Sequence, residues 1–293
     1  MNTSSVWTAI TPMPDGLSES PLWHHQENRL YWVDIPGRRL ARLSVAGQMQ
    51  ARGEVEYWPM AEEPGCIAPV KGGGLVIALR DGIYQSRQWG GALQLLAAAP
   101  YDSGRIRFND GKCDPSGRLW AGSICLKKQP EAALYCLHAD LRIEKKFSPV
   151  TNSNGIIWSK DGQTMFYIDT PSKKVRAFDF DVATSAISNE RVVWDTSADA
   201  SSPDGMTIDS EDRLWVAFCH GAKVVCYDPA VQKVLEQIDF PCVETTACAF
   251  GGDDLGDLYV TTGLKPGLDE ALVGRLFVCR PGAKGVVSDV FAG

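Results

Sequence analysis

Apolar and polar positions along the chain alternate with a period near two, and helical periodicity is almost absent. Short β-branched and aromatic runs are separated by Gly, Pro, Asp and Asn, the pattern of strands joined by tight turns. Six runs share one form: Arg29-Leu-Tyr-Trp-Val-Asp34, Gly74-Leu-Val-Ile-Ala-Leu79, Arg118-Leu-Trp-Ala-Gly-Ser123, Thr164-Met-Phe-Tyr-Ile-Asp169, Arg213-Leu-Trp-Val-Ala-Phe218 and Asp257-Leu-Tyr-Val-Thr-Thr262. Anchored on Trp32, Val76, Trp120, Tyr167, Trp215 and Tyr259, they recur every 44 to 48 residues. That is the period of a four-stranded propeller blade. The expected fold is therefore an all-β, six-bladed β-propeller of antiparallel blades around a central channel, with residues 1–293 forming a single domain.

The turn signals agree. Asp161-Gly162 and Ser116-Gly117 read as tight hairpins, and Asp15-Gly16 and Asp81-Gly82 as simple turns. Closing the ring requires an exchange of ends, and the N-terminal run Val6-Trp-Thr-Ala-Ile10 is expected to add a strand to the sixth blade and cover its edge. The alternative, two separate sandwiches, is disfavoured by the constant period.

Composition narrows the partners. Lys and Arg number 29 against 36 Asp and Glu, and a net charge of −7 offers no electrostatic footprint for nucleic acid or an anionic membrane. Residues Met1 to Gly16 lack the basic and apolar segments of a signal peptide, and no window approaches the run of about 18 apolar residues that spans a bilayer. A cytoplasmic location is expected. The nine cysteines are scattered without a Cys-x-x-Cys pair, and most read as buried, reduced core residues. His24, His25, His138 and His220 lack metal spacing and read as surface or strand-end residues.

Four oxygen-bearing residues share one place in the repeat, in the segment just before the first strand of a blade: Glu19, Asn109, Asn154 and Asp204. Their separations of 90, 45 and 50 residues are close to two, one and one repeats. Equivalent positions on propeller blades converge at one end of the axis, so two carboxylates and two carboxamides would meet there. Like charges near a common axis repel and lose hydration unless a cation sits between them. Oxygen donors without thiolate or imidazole suit a hard divalent ion, Ca²⁺ first, with Zn²⁺, Mn²⁺, Mg²⁺ or Fe²⁺ as alternatives. Taken singly, Asn109-Asp110-Gly111, Asn154-Gly155 and Pro203-Asp204-Gly205 are also good turn sequences; the shared register is what raises the metal reading.

Several blocks in order, including Leu17-Ser-Glu-Ser-Pro-Leu-Trp23, the segment from Arg107-Phe-Asn-Asp-Gly-Lys-Cys-Asp114 to Gly122, Ser153-Asn-Gly-Ile-Ile-Trp158, Ser202-Pro-Asp-Gly-Met-Thr-Ile-Asp209 and Gly274-Arg-Leu-Phe277, resemble the gluconolactonase and regucalcin (senescence marker protein) family over nearly the whole chain. The resemblance implies a six-bladed propeller with one divalent metal at the channel mouth. It assigns Glu19, Asn154 and Asp204 as metal ligands, with Asp204 also the catalytic acid or base. Arg107 and Asn109 would contact a sugar lactone. Ser20 departs from the Gly that many members carry, and Lys127-Lys128 stand where regucalcin-like members have acidic residues, which bears on substrate preference toward a pentonolactone or an acidic lactone.

The expected activity is metal-dependent hydrolysis of an aldonolactone to its aldonic acid. The ion would polarise the carbonyl and Asp204 would act on the attacking water, although a carboxylate shared with a dication is a weaker base than a free one. Asp110 and Asp169 are further candidates at the site. A noncatalytic calcium-binding regulatory propeller, and a metal-dependent esterase acting on other esters, are the competing readings. No catalytic triad or phosphate-binding loop is present in the sequence.

Overall fold

The structure is a computed structural model describing residues 7–45, 49, 51–266 and 269–293. Six four-stranded antiparallel sheets form the blades of a β-propeller. The innermost strands, from blade 1 to blade 6, are Ser18–His24, Pro64–Pro69, Ile106–Cys113, Ser153–Trp158, Ser202–Ile208 and Thr245–Gly251. In blades 1 to 5 the strands run outward in chain order. Blade 6 borrows its outermost strand, Thr8–Ala9, from the N-terminus, with Thr8 opposite Val278 and Ala9 opposite Phe277. Trp7 packs edge-on against Phe277 at 5.2 Å. Of the run expected to close the ring, Val6 lies outside the described residues. The only helical element among the described residues is the 3₁₀ turn Thr170–Ser172.

Packing explains why the period is strict. Each of the six larger apolar clusters lies between two neighbouring blades: Trp23, Trp32 and Tyr259 join blades 1 and 6, and Trp120, Trp158 and Tyr167 join blades 3 and 4. A change in strand length would strip one of these layers of its partner. The large rings carry polar atoms that need acceptors once buried. Trp32, Trp120 and Trp215 donate their indole N–H to Asp15, Asp114 and Asp209 at 2.7, 2.9 and 2.9 Å. Asp114 and Asp209 in turn pair with Arg118 and Arg213, so Asp-x-x-x-Arg-x-Trp recurs as one structural knot.

One local expectation changes, and two are made more specific. Asp15-Gly16 is no simple turn, because Asp15 is buried and also receives Ser18 Oγ, Arg39 Nη2 and Tyr57 Oη. His24 does end a strand, but its ring is buried against Tyr31 rather than at the surface. The nine cysteines are unpaired and all but Cys219, which is partly buried, lie in the core, in line with the expectation for most of them. The turns at Gly117 and Gly162 hold, with φ of +79° and +70°. No helix among the described residues is long and apolar enough to cross a membrane.

The C-terminal segment was not anticipated as a structural part. Gly285 bridges Asp209 of blade 5 and Phe291 bridges Val70 of blade 2, and Phe291 is fully buried. The segment thereby straps the channel at the C-terminal ends of the inner strands. It covers a cavity of about 190 Å³ lined by Leu22, Lys112, Trp158 and Val286. The opposite end, where the inner strands begin, holds the candidate ligands.

Candidate metal and substrate site

Glu19, Asn109, Asn154 and Asp204 lie inside the inner strands, not in the segments before them. The reason is that the ladder continues past a β-bulge in each strand, between Glu19 and Leu22, Phe108 and Gly111, Asn154 and Ile156, and Pro203 and Met206. A bulge leaves residues unpaired and re-aims a side chain. The Asn-Gly and Asp-Gly pairs that look like turns are therefore bulges. Their glycines allow close packing at the axis: a Cβ on Gly205 would lie 2.4 Å from Ala247 Cβ, and one on Gly155 would lie 2.9 Å from the Asp204 carbonyl oxygen. In blade 1 Ser20 takes this place at φ +50°, a left-handed conformation that glycine adopts without cost. Its hydroxyl accepts the Ile67 N–H of blade 2 at 3.3 Å, which offsets part of that strain.

All four side chains are buried, together with Arg107 and Asp110. A hydrogen-bonded relay links three blades. Arg107 Nη1 donates to Asn109 Oδ1 at 2.8 Å, Asn109 Nδ2 to Asn154 Oδ1 at 2.9 Å, and Asn154 Nδ2 to Thr170 Oγ1 at 2.7 Å. The Thr170 hydroxyl then donates to the Pro203 carbonyl at 2.9 Å. With Nδ2 tied down by Thr170, the Asn154 amide is held with its oxygen turned the other way. Thr170 had no sequence signal, since its role depends on the 3₁₀ turn that sets it beside blade 5.

The carboxylates are crowded. Burial, then the charges of Asp204 and Asp110, push the Glu19 carboxyl well above the usual range, and Arg107 only partly opposes them. Burial, then Asp110 and Glu244, do the same to Asp204, while the Cys219 thiol and Lys128 pull in the other direction. Asp110 thus belongs to the cluster. Asp169 does not: its carboxylate accepts the backbone N–H groups of Thr151 and Asn152 and holds that loop. Arg107 makes no ion pair within 4.0 Å among the described residues, and its guanidinium donates only through Nη1, to Phe108 O and Asn109 Oδ1.

Glu19 Oε2 and Asp204 Oδ1 are buried with no hydrogen-bond partner. An orphaned carboxylate oxygen costs the desolvation of its charge, and two of them, on carboxylates close enough for the Asp204 charge to act on Glu19, make the core of a donor set that fits a hard dication.

A family model for the SMP-30/Gluconolactonase/LRE-like region matches residues 17–263. Regucalcin of Danio rerio is 37% identical over 250 residues, covering 84% of this chain and 82% of its own. The putative sugar lactone lactonase YvrE of Bacillus subtilis is 35% identical over 247 residues, covering 84% of this chain and 83% of its own. Among solved structures, a luciferin-regenerating enzyme matches with a TM-score of 0.89 at 28% identity, covering 99% of this chain and 100% of that one. The chain belongs to the SMP-30/gluconolactonase/LRE-like family.

Proposed function

We propose that this protein hydrolyses a sugar lactone, an aldonolactone such as glucono-, galactono-, xylono- or arabinolactone, to the aldonic acid, with one divalent cation held by Glu19, Asn154 and Asp204. The observation that carries this reading is the pair of buried, unpartnered oxygens, Glu19 Oε2 and Asp204 Oδ1. Family membership, and a relative named as a putative sugar lactone lactonase, support the substrate class. The all-oxygen donor set favours Ca²⁺ over Zn²⁺, Mn²⁺, Mg²⁺ or Fe²⁺. Nine unpaired thiols fit a reducing compartment such as the cytoplasm.

Bound at this place, a dication supplies Lewis acidity toward the lactone carbonyl. Asp204 accepts a proton from the attacking water as the water oxygen bonds to the acyl carbon. The bond from acyl carbon to ring oxygen then breaks, and the ring oxygen leaves as a hydroxyl by taking that proton. Arg107 offers Nη2, which has no intramolecular acceptor among the described residues, to a substrate oxygen. Asn109, engaged with both Arg107 and Asn154, holds the substrate side and the ligand side in one register. Lys127 and Lys128 follow the strand Leu119–Cys125, whose last residues pair with Ile106 and Arg107. Cationic charge beside the mouth favours a lactone bearing a carboxylate, or a compact pentonolactone.

A pH-indicator assay over a panel of neutral and acidic aldonolactones tests the reading, run after chelation and again after Ca²⁺, Zn²⁺ or Mn²⁺ is restored. Metal-dependent acid release with at least one lactone is the expected result. Calcium binding without turnover of any lactone would instead support a regulatory propeller, and turnover of simple esters alone would support an esterase.

A further inference from the structure

We propose that Cys219, His220 and Glu244 form a second cation site, distinct in chemistry from the oxygen site and suited to a thiophilic divalent ion such as Zn²⁺ or Co²⁺. Their ligand atoms lie within 4.8 Å of one another. Three facts of the fold bring them together. Cys219 ends the strand Leu214–Cys219 and bridges the backbone of Glu244, which leads into blade 6. The Cys219 Sγ sits 3.5 Å from Glu244 Oε1. His220 follows in a left-handed conformation at φ +65°, turning its exposed ring back over the pair.

Ligands around a tetrahedral zinc, at bond lengths of about 2.0–2.3 Å, stand roughly 3.3–3.8 Å apart. The trio is thus at most about 1 Å too open, within reach of rotation of an exposed imidazole. A second observation points to a cation here: the Lys265 ammonium already rests 2.9 Å from His220 Nδ1. A sulfur, a nitrogen and one carboxylate oxygen select borderline-soft ions, whereas Ca²⁺ gains little from sulfur or imidazole. Binding replaces the Cys219 thiol proton, which passes to solvent, and displaces Lys265. Three protein ligands leave a fourth position open.

The test uses Co²⁺ added to the full chain already saturated with Ca²⁺. The expected result is a thiolate-to-cobalt charge-transfer band that saturates at one cobalt per chain. Cys219→Ser should abolish the band, His220→Ala should weaken cobalt binding by at least about tenfold, and Lys265→Gln should strengthen it. No band in the wild type overturns the proposal, as does a band of full intensity in a folded Cys219→Ser protein. Should Cys219→Ser not fold, unchanged cobalt affinity in His220→Ala overturns it alone. His220→Ala should keep its Ca²⁺-supported lactone hydrolysis, so failure here and failure of the lactonase reading give separate signals.

Discussion

At the residue scale, the arrangement turns on which way an amide faces. Asn154 keeps its oxygen turned away from Thr170, as an acceptor for Asn109, because its nitrogen is held by Thr170, and Thr170 is held by the Pro203 carbonyl. Thr170→Val removes that anchor while keeping the side-chain shape. The expected outcome is a 10- to 100-fold loss of divalent-metal affinity, of the size seen when outer partners of metal ligands are removed, with little change in melting temperature. Calcium titration of the two proteins checks it; equal affinities would show that Asn154 needs no such support. That Glu19, Asn109, Asn154 and Asp204 take equivalent places on the inner strands was legible in the sequence, because they share one register in the repeat. Thr170 was not, because its contact with Asn154 crosses 16 residues through an irregular turn. The knots at Asp15, Asp114 and Asp209 were half legible: the Arg-Leu-Trp repeats show in the sequence, but Asp15 reads there as a turn residue and nothing marks Asp114 or Asp209 as an acceptor.

At the element scale, the inner strands combine two demands that oppose each other. They must approach closely enough to converge four polar side chains, and they must still pair with the strands behind them. The bulges satisfy both, and the small residues next to them set the approach. Gly205→Ala places a methyl 2.4 Å from Ala247 Cβ. Overpacking of this kind costs about 1–3 kcal/mol, and blades 5 and 6 must part to relieve it. Urea unfolding should show a lower midpoint with an unchanged slope, together with reduced metal affinity through displacement of Asp204. A fully stable Gly205→Ala protein with native affinity would show that the inner strands have slack. The strands themselves were legible from aromatic alternation and spacing. Their extent at the axis was not, because Asn-Gly and Asp-Gly spell a turn and a bulge equally well.

At the scale of the whole molecule, a ring of similar blades depends on its seams. The N-terminal strand closes blade 6, the C-terminal segment straps blades 2 and 5, and polar staples join consecutive blades. One staple lies between blades 4 and 5, where Lys223 pairs with Asp199 and Lys173 donates to the Asp199 carbonyl oxygen. Hydrogen bonds from Lys223 and Ser201 outweigh burial and hold the Asp199 carboxyl down at about 2, against an ordinary 3.8. A carboxyl lowered on folding adds stability above its unfolded pKa and loses it as pH falls from about 4 toward 2. For a pair this open to solvent the contribution is about 1 kcal/mol. Asp199→Asn should therefore be less stable by about that amount at pH 7, and the difference should fade as pH falls through about 2 in urea titrations. A gap that persists at low pH would assign the effect to packing instead. The sequence showed the blades and the exchange of ends, since both follow from period and edge; the strap and the staples depend on side chains that meet only after the ring closes.

The most direct measurement is calorimetric titration of chelated protein with Ca²⁺, comparing the wild type with Glu19→Gln and Asp204→Asn. One calcium per wild-type chain is expected, with heat lost in both variants while their circular dichroism stays native. Equal binding by all three proteins, or none by the wild type, would contradict a dication gathered by these buried oxygens.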